Sequence, residues 1–101
     1  MGFIKIAFIK DLGPGEKKAF KIKSKEILIV NLDGKYYALG NICTHLGCKL
    51  SNGTLIGENV ECPCHGSTFD IKTGKVVKGP AKKSEPTFKV KMKSDQISVD
   101  I

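Results

Sequence analysis

The chain has 101 residues, a formal net charge of +7 and 41% apolar residues. That length suits one domain with one modest core and not two. No run of about eighteen apolar residues is present to span a membrane, and the opening MGFIKIAFIK alternates instead of forming the apolar block of a signal peptide. The expectation is therefore a single cytoplasmic domain over residues 1–101, without a membrane span. All seventeen basic residues are Lys. With no Arg, no basic helix and no stacking-aromatic pattern, a nucleic-acid partner is excluded.

In chain order, Phe3 to Ile9 reads as a mostly apolar first strand and Leu12 to Gly15 as a turn cluster. Ala19 to Lys23 alternates Phe20 and Ile22 with lysines, whereas Ile27 to Leu32 is a nearly continuous apolar run suited to a buried strand. Asp33-Gly34 signals a hairpin turn into Tyr36 to Leu39. Leu50 to Gly57 reads as a connection, Asn59 to Glu61 and Thr68 to Ile71 as short strands, and Thr73-Gly74 as a turn into Lys75 to Val77. Phe88, Val90 and Met92 alternate with lysines, which predicts one strand with a buried and a wet face. After a turn at Ser94-Asp95, Ile97, Val99 and Ile101 alternate again in the last strand. No stretch sustains helical periodicity, so the class is all-β: a small antiparallel sandwich or barrel.

All four cysteines and both histidines fall between Asn41 and Asp70, less than a third of the chain. They form two short loops, Cys43-x-His45 with Cys48, and Cys62-x-x-His65 with Cys64. Two thiolates and two imidazoles close a tetrahedral zinc site, whose paired ligands are usually two to four residues apart. Cys43-x-His45 is tighter than that. A two-iron, two-sulfide cluster needs two thiolates on one iron and two imidazoles on the other. One Cys and one His per loop is what spanning two irons requires, whereas a single zinc has no need of it.

With C-x-H, sixteen intervening residues, and then C-x-x-H, the chain resembles the Rieske iron–sulfur family. The resemblance continues through Gly66, Ser67 and Asp70 into Gly79-Pro80-Ala81, which looks like the proline-containing loop covering the cluster from a third side. It implies a Rieske-like fold with an inserted cluster-binding subdomain at about 41–82 and one 2Fe-2S cluster. Cys43 and Cys62 would hold the inner iron, and His45 and His65 the outer one. Cys48 and Cys64 match a pair that forms a disulfide in Rieske proteins of cytochrome bc and b6f complexes and in soluble relatives such as sulredoxin. From the residues alone, that pair reads as a disulfide, as alternate ligands or as free buried thiols. A reducing cytoplasm opposes the bond, though proteins of hyperthermophiles are an exception, and the abundance of Lys points to such a source.

Ser67 matches the family serine that donates to a bridging sulfide, and Phe69 stands where high-potential members carry a Tyr that donates to a cysteine sulfur. With one donor kept and one lost, the expected potential lies below that of the quinol-oxidising members. Leu46 would cap the cluster, Gly79 and Pro80 would shape the covering loop, and Lys82 replaces the second proline of the respiratory motif. Lys49, Lys72, Lys75, Lys78, Lys82 and Lys83 flank the loops as docking candidates for an acidic redox partner. The reading is a soluble, monomeric one-electron carrier between larger redox proteins, not an enzyme by itself. Its alternatives are the extrinsic domain of a quinol-oxidising complex, disfavoured by Lys82 and the missing anchor, an oxygenase ferredoxin component, disfavoured by Cys48 and Cys64, and a structural zinc module.

Overall fold

A computed structural model describes residues 2–44, 47–64 and 66–101. Its eleven strands are β1 (Phe3–Phe8), β2 (Lys17–Ile22), β3 (Lys25–Leu32), β4 (Lys35–Gly40), β5 (Thr54–Ile56), β6 (Asn59–Glu61), β7 (Thr68–Asp70), β8 (Val76–Lys78), β9 (Thr87–Phe88), β10 (Val90–Lys93) and β11 (Gln96–Asp100). They build three antiparallel sheets in the orders β1-β11-β10, β2-β3-β4-β9 and β5-β6-β7-β8. The all-β antiparallel expectation holds. Among the described residues, no helix is long and apolar enough to cross a membrane.

The continuous apolar run of β3 is explained by its place in the middle sheet. Successive side chains of a strand point to opposite faces, and here both faces are covered. Ile27 and Ile29 pack with Ala7, Leu12, Tyr36, Ala38, Ile97 and Val99 in a core shared with the terminal sheet. Leu28 and Val30 face the other way, into a core with Leu39, Leu50, Val60, Phe69, Ile71 and Ala81. Cys43 and Cys62 belong to that second core. The middle sheet therefore separates a structural core from one that includes two of the predicted iron ligands.

Two expectations about strands are corrected. The run from Phe88 to Met92 is not one strand. Phe88 pairs with Ala38 on β4, but Val90 pairs with Val99 on β11, so the chain changes sheets at Lys89. Met92 is consequently 48% exposed while Phe88 and Val90 pack against the first core. Leu50 to Gly57 is more than a connection, since a 3₁₀ turn at Leu50–Asn52 leads into β5, whose Thr54 lies opposite Glu61 of β6. The turn at Asp33-Gly34 forms as expected, both residues having positive φ. A second tight hairpin, at Lys23 and Ser24, uses φ of 50° and 69° without any glycine to announce it.

Candidate metal centre

The two cysteine loops share a closure that follows from their sequence. The Cys43 N–H donates to the Cys48 carbonyl at 2.7 Å, and the Cys62 N–H donates to the Ser67 carbonyl at the same 2.7 Å. Both bonds reach five residues ahead, and each loop has a glycine four residues after its cysteine. Gly47 has φ +76° and Gly66 has φ +75°, a conformation that L-residues seldom adopt. The repeated Cys-x-x-x-Gly spacing was visible in the sequence and marks the two loops as the same turn.

Each loop hangs from a fixed root. Asn41, fully buried, has its Oδ1 accept the Ser51 N–H at 2.8 Å and its Nδ2 donate to Glu26 at 3.3 Å. An isolated bridge between Ile42 and Lys49 closes the base of the first loop. The second loop runs from β6 to β7, which pair through Glu61 and Thr68. A disulfide between Cys48 and Cys64, with S–S 2.07 Å and Cα atoms 6.3 Å apart, ties the loops together. Of the three readings open for that pair, the disulfide is the one the structure contains.

Cys43 and Cys62 take no part in that disulfide, and each is 2% exposed. Burial pushes the Cys62 thiol up, the adjacent Cys43 thiol adds to this, and the Cys64 N–H directed at the sulfur opposes it. His45, Leu46 and His65 lie outside the described residues.

Two flanking side chains are placed as second supports. Ser67 is fully buried, and its Oγ accepts the Ala81 N–H at 2.9 Å. A hydroxyl has one proton to give and room to accept, so this contact fixes the oxygen and leaves its proton available. Phe69 is fully buried in the core that holds both thiols. Gly79 and Pro80 are exposed at the start of the segment containing Ala81, and their peptide bond is cis. Of the docking candidates, Lys49 lies 3.7 Å from Glu26 and Lys72 lies 3.0 Å from Glu58. Lys75, Lys78, Lys82 and Lys83 are exposed and lie outside the ion pairs found among the described residues.

The sequence did not point to Thr44 or Glu85. The Thr44 N–H donates to Glu85 Oε2 at 3.1 Å and its Oγ1 donates to the Lys83 carbonyl at 2.6 Å. Burial pushes the Glu85 carboxyl up to about 7, opposed by the Thr44 N–H. The available signal was slight: Glu85 is the single acid between Asp70 and Asp95.

Comparison with known proteins decides the family. The family model described as Rieske [2Fe-2S] domain matches residues 2–91. The chain belongs to the Rieske family. It is 37% identical over 101 residues to the biphenyl 2,3-dioxygenase ferredoxin component of Rhodococcus jostii (strain RHA1), covering 100% of this chain and 94% of that one. It is 35% identical over 95 residues to the ferredoxin component of the naphthalene 1,2-dioxygenase/salicylate 5-hydroxylase systems of a Ralstonia species, covering 94% and 91%. It also resembles a chain in the solved complex of reduced oxygenase and oxidized ferredoxin in carbazole 1,9a-dioxygenase. There the TM-score is 0.90 at 28% identity, covering 96% and 91%.

As a Rieske protein the chain carries a 2Fe-2S cluster and is a one-electron carrier, not an enzyme by itself. The residues present fit that group. Two buried neighbouring thiols, one with an amide aimed at its sulfur, are soft donors suited to iron in a cluster. The cysteine pair counted against an oxygenase ferredoxin in the sequence reading. The disulfide is present, in a chain whose similar proteins include ferredoxin components of dioxygenases.

Proposed function

We propose that this Rieske protein is the ferredoxin component of an aromatic-ring oxygenase system, taking one electron at a time from a reductase and giving it to a terminal oxygenase. The observation that carries this reading is the pair of buried thiols, Cys43 and Cys62, on two matched turns, in a chain similar from end to end to such ferredoxins. When bound, the cluster supplies a one-electron couple. Cys43 and Cys62 are its thiolate ligands and His45 and His65 its imidazole ligands. Ser67, whose hydroxyl proton is left available, would donate to the cluster, and Leu46 would shield it from water. Residues 1–101 are one domain, with residues 41–82 as the cluster-binding part and the segment around Gly79 and Pro80 as its cover.

The carrier acts as a cytoplasmic monomer. The net charge of +7 and the exposed Lys75, Lys78, Lys82 and Lys83 support docking to an acidic face of the partner. Lys49 and Lys72, each beside a glutamate, contribute less.

The test is reconstitution of the purified protein with a ring-hydroxylating oxygenase, its NADH-dependent reductase and an aromatic substrate. The expected result is a brown protein with two irons and two sulfides per chain that restores product formation, and whose transfer rate falls as salt rises. A colourless protein, or a loaded one that is reduced but passes no electron to any such oxygenase, would overturn the proposal. The potential is expected to fall between pH 7 and pH 10 as the imidazole ligands of the oxidised form deprotonate.

A further inference from the structure

Glu85 lies in a lysine-rich segment that would ordinarily leave a glutamate in water, yet it is 4% exposed. The ion pairs among the described residues, Lys49–Glu26 and Lys72–Glu58, do not include it. Burying a carboxyl away from a cation is costly unless its oxygens accept specific hydrogen bonds. The surrounding chain is shaped to make room for it. A Cβ on Gly40 would meet Glu85 Oε1 at 2.5 Å and the Pro86 ring at 3.1 Å. A Cβ on Gly74 would collide with the Glu85 carbonyl oxygen. The Glu85 N–H donates to the Gly74 carbonyl at 2.8 Å, and the Gly40 N–H donates to the Pro86 carbonyl at 2.9 Å. Segments distant in sequence therefore hold Glu85 on both sides.

The carboxylate acts on the peptide between Cys43 and Thr44. That peptide is a rigid plane, and both of its polar ends are engaged. Its carbonyl, on Cys43, accepts the Gly47 N–H at 3.0 Å, and its N–H, on Thr44, donates to Glu85 Oε2 at 3.1 Å. The Thr44 hydroxyl adds a bond to the Lys83 carbonyl at 2.6 Å. Thr44 follows Cys43 directly, so whatever holds the peptide between them bears on the direction in which Cys43 leaves the backbone.

We propose that Glu85 is a positioning residue for the first cluster loop, its carboxyl group holding the Thr44 amide and so fixing the approach of Cys43 to the cluster. This rests on the ligand assignment made above. The interaction lies outside the family's sequence signature, because it joins a loop residue to a side chain 41 positions later.

The experiment compares the loaded parent with Glu85→Gln, Glu85→Met and Thr44→Val by iron content, EPR spectroscopy of the reduced cluster, reduction potential and far-ultraviolet circular dichroism. Glu85→Gln keeps an oxygen acceptor at nearly the same volume and is expected to retain the parent's g-values. Glu85→Met fills the space without an acceptor. It is expected to keep the sheet spectrum while shifting the g-values and potential, or to lose iron several-fold faster to a chelator. A merely structural role would lower stability without separating these two variants spectroscopically. A loaded Glu85→Met with the g-values, potential and chelator resistance of Glu85→Gln overturns the proposal. If Glu85→Met does not fold, Glu85→Leu, which likewise offers the Thr44 amide no acceptor, carries the test: a signal shifted from that of Glu85→Gln supports the proposal and an identical one overturns it. Thr44→Val removes only the bond to Lys83 and keeps the amide bond to Glu85, so it is expected to stay closer to the parent, and a larger shift than that of the Glu85 variants overturns the assignment to Glu85. A parent without a two-iron cluster would instead defeat the ligand assignment.

Discussion

Replacing Phe69 by Tyr tests whether the site has lost a donor that its surroundings could still accommodate. Phe69 has no exposed surface and shares its core with Cys43 and Cys62. Where high-potential members of the family have Tyr at this position, its hydroxyl donates to a cysteine sulfur. Such a donor favours the reduced cluster, which is more negative by one unit, and raises the potential. A net hydrogen bond of about 0.5–1.5 kcal/mol felt wholly by the reduced state corresponds to about 20–65 mV for one electron. That is an upper bound, because the oxidised state gains part of the same bond. Stability decides whether the hydroxyl has found its acceptor. Left unpaired at this depth it costs about 1–3 kcal/mol, and each kcal/mol lowers the Tm of a domain this size by about 4–8 °C.

The assay is a visible-absorption redox titration of Phe69→Tyr beside the parent, with thermal unfolding of both. The expected result is an upward shift of tens of millivolts with Tm within a few degrees of the parent. An unchanged or lower potential refutes the reasoning. A loss of more than about 10 °C at unchanged potential would show a hydroxyl buried without a partner, and would mean that the ring does not point at the cluster.

Three further outcomes follow from the geometry. Replacing Cys48 and Cys64 together by Ser opens a crosslink with a sequence separation of 16, whose loss costs about 3 kcal/mol in the cluster-free protein. The loaded protein should lose less in urea, because the cluster ties the same loops, and equal losses in both forms would refute this. Gly74→Ala places a Cβ against the Glu85 carbonyl at a residue with φ +77°. The left-handed backbone alone costs about 1–2 kcal/mol, so urea unfolding should show a loss of at least about 2 kcal/mol; a near-neutral variant would disprove the close approach. Glu85 has its carboxyl raised from 4.5 to about 7, so between those values the folded state holds the proton more tightly than the unfolded state. The Glu85 contribution to stability therefore falls as pH rises through that window and levels off above it, with a slope of at most about 1.4 kcal/mol per pH unit. Glu85→Gln should remove that component. A stability difference between parent and variant that is constant from pH 5 to pH 8 would refute it.

How much of this was legible in the sequence depends on how local the cause is. The run Ile27 to Leu32 announced a buried strand because only a strand covered on both faces is apolar at consecutive positions, and β3 is covered on both. The cysteine loops were legible because ligand spacing is local. The run from Phe88 to Met92 misled because alternation reports which side of a strand is wet and nothing about which sheet receives it. The turn at Lys23-Ser24 was invisible because neither residue favours positive φ, and the pairing of β2 with β3 imposes it. Glu85 was invisible for the most general reason. Its burial is made by Gly40, Thr44 and Gly74, which meet only in the fold.

These ties also explain why the covering segment matters beyond keeping water out. Through Ala81 it holds Ser67 of the second loop, and through Lys83 and Glu85 it holds Thr44 of the first. The disulfide joins Cys48 to Cys64 on another side. Each loop is therefore fixed by its own backbone closure, by the other loop and by the segment from Gly79 to Pro86. A carrier that accepts and releases one electron works best when its ligands keep the same positions in both charge states, since any rearrangement adds to the barrier in each direction. The ties here are hydrogen bonds and a covalent bond between backbone or buried groups, which adding one charge does not break. The prediction that separates this from simple stabilisation is kinetic: Glu85→Met should slow electron exchange with the partner even where its Tm is restored by a stabilising substitution elsewhere. Restoration of the exchange rate together with the Tm would show that the ties serve stability alone.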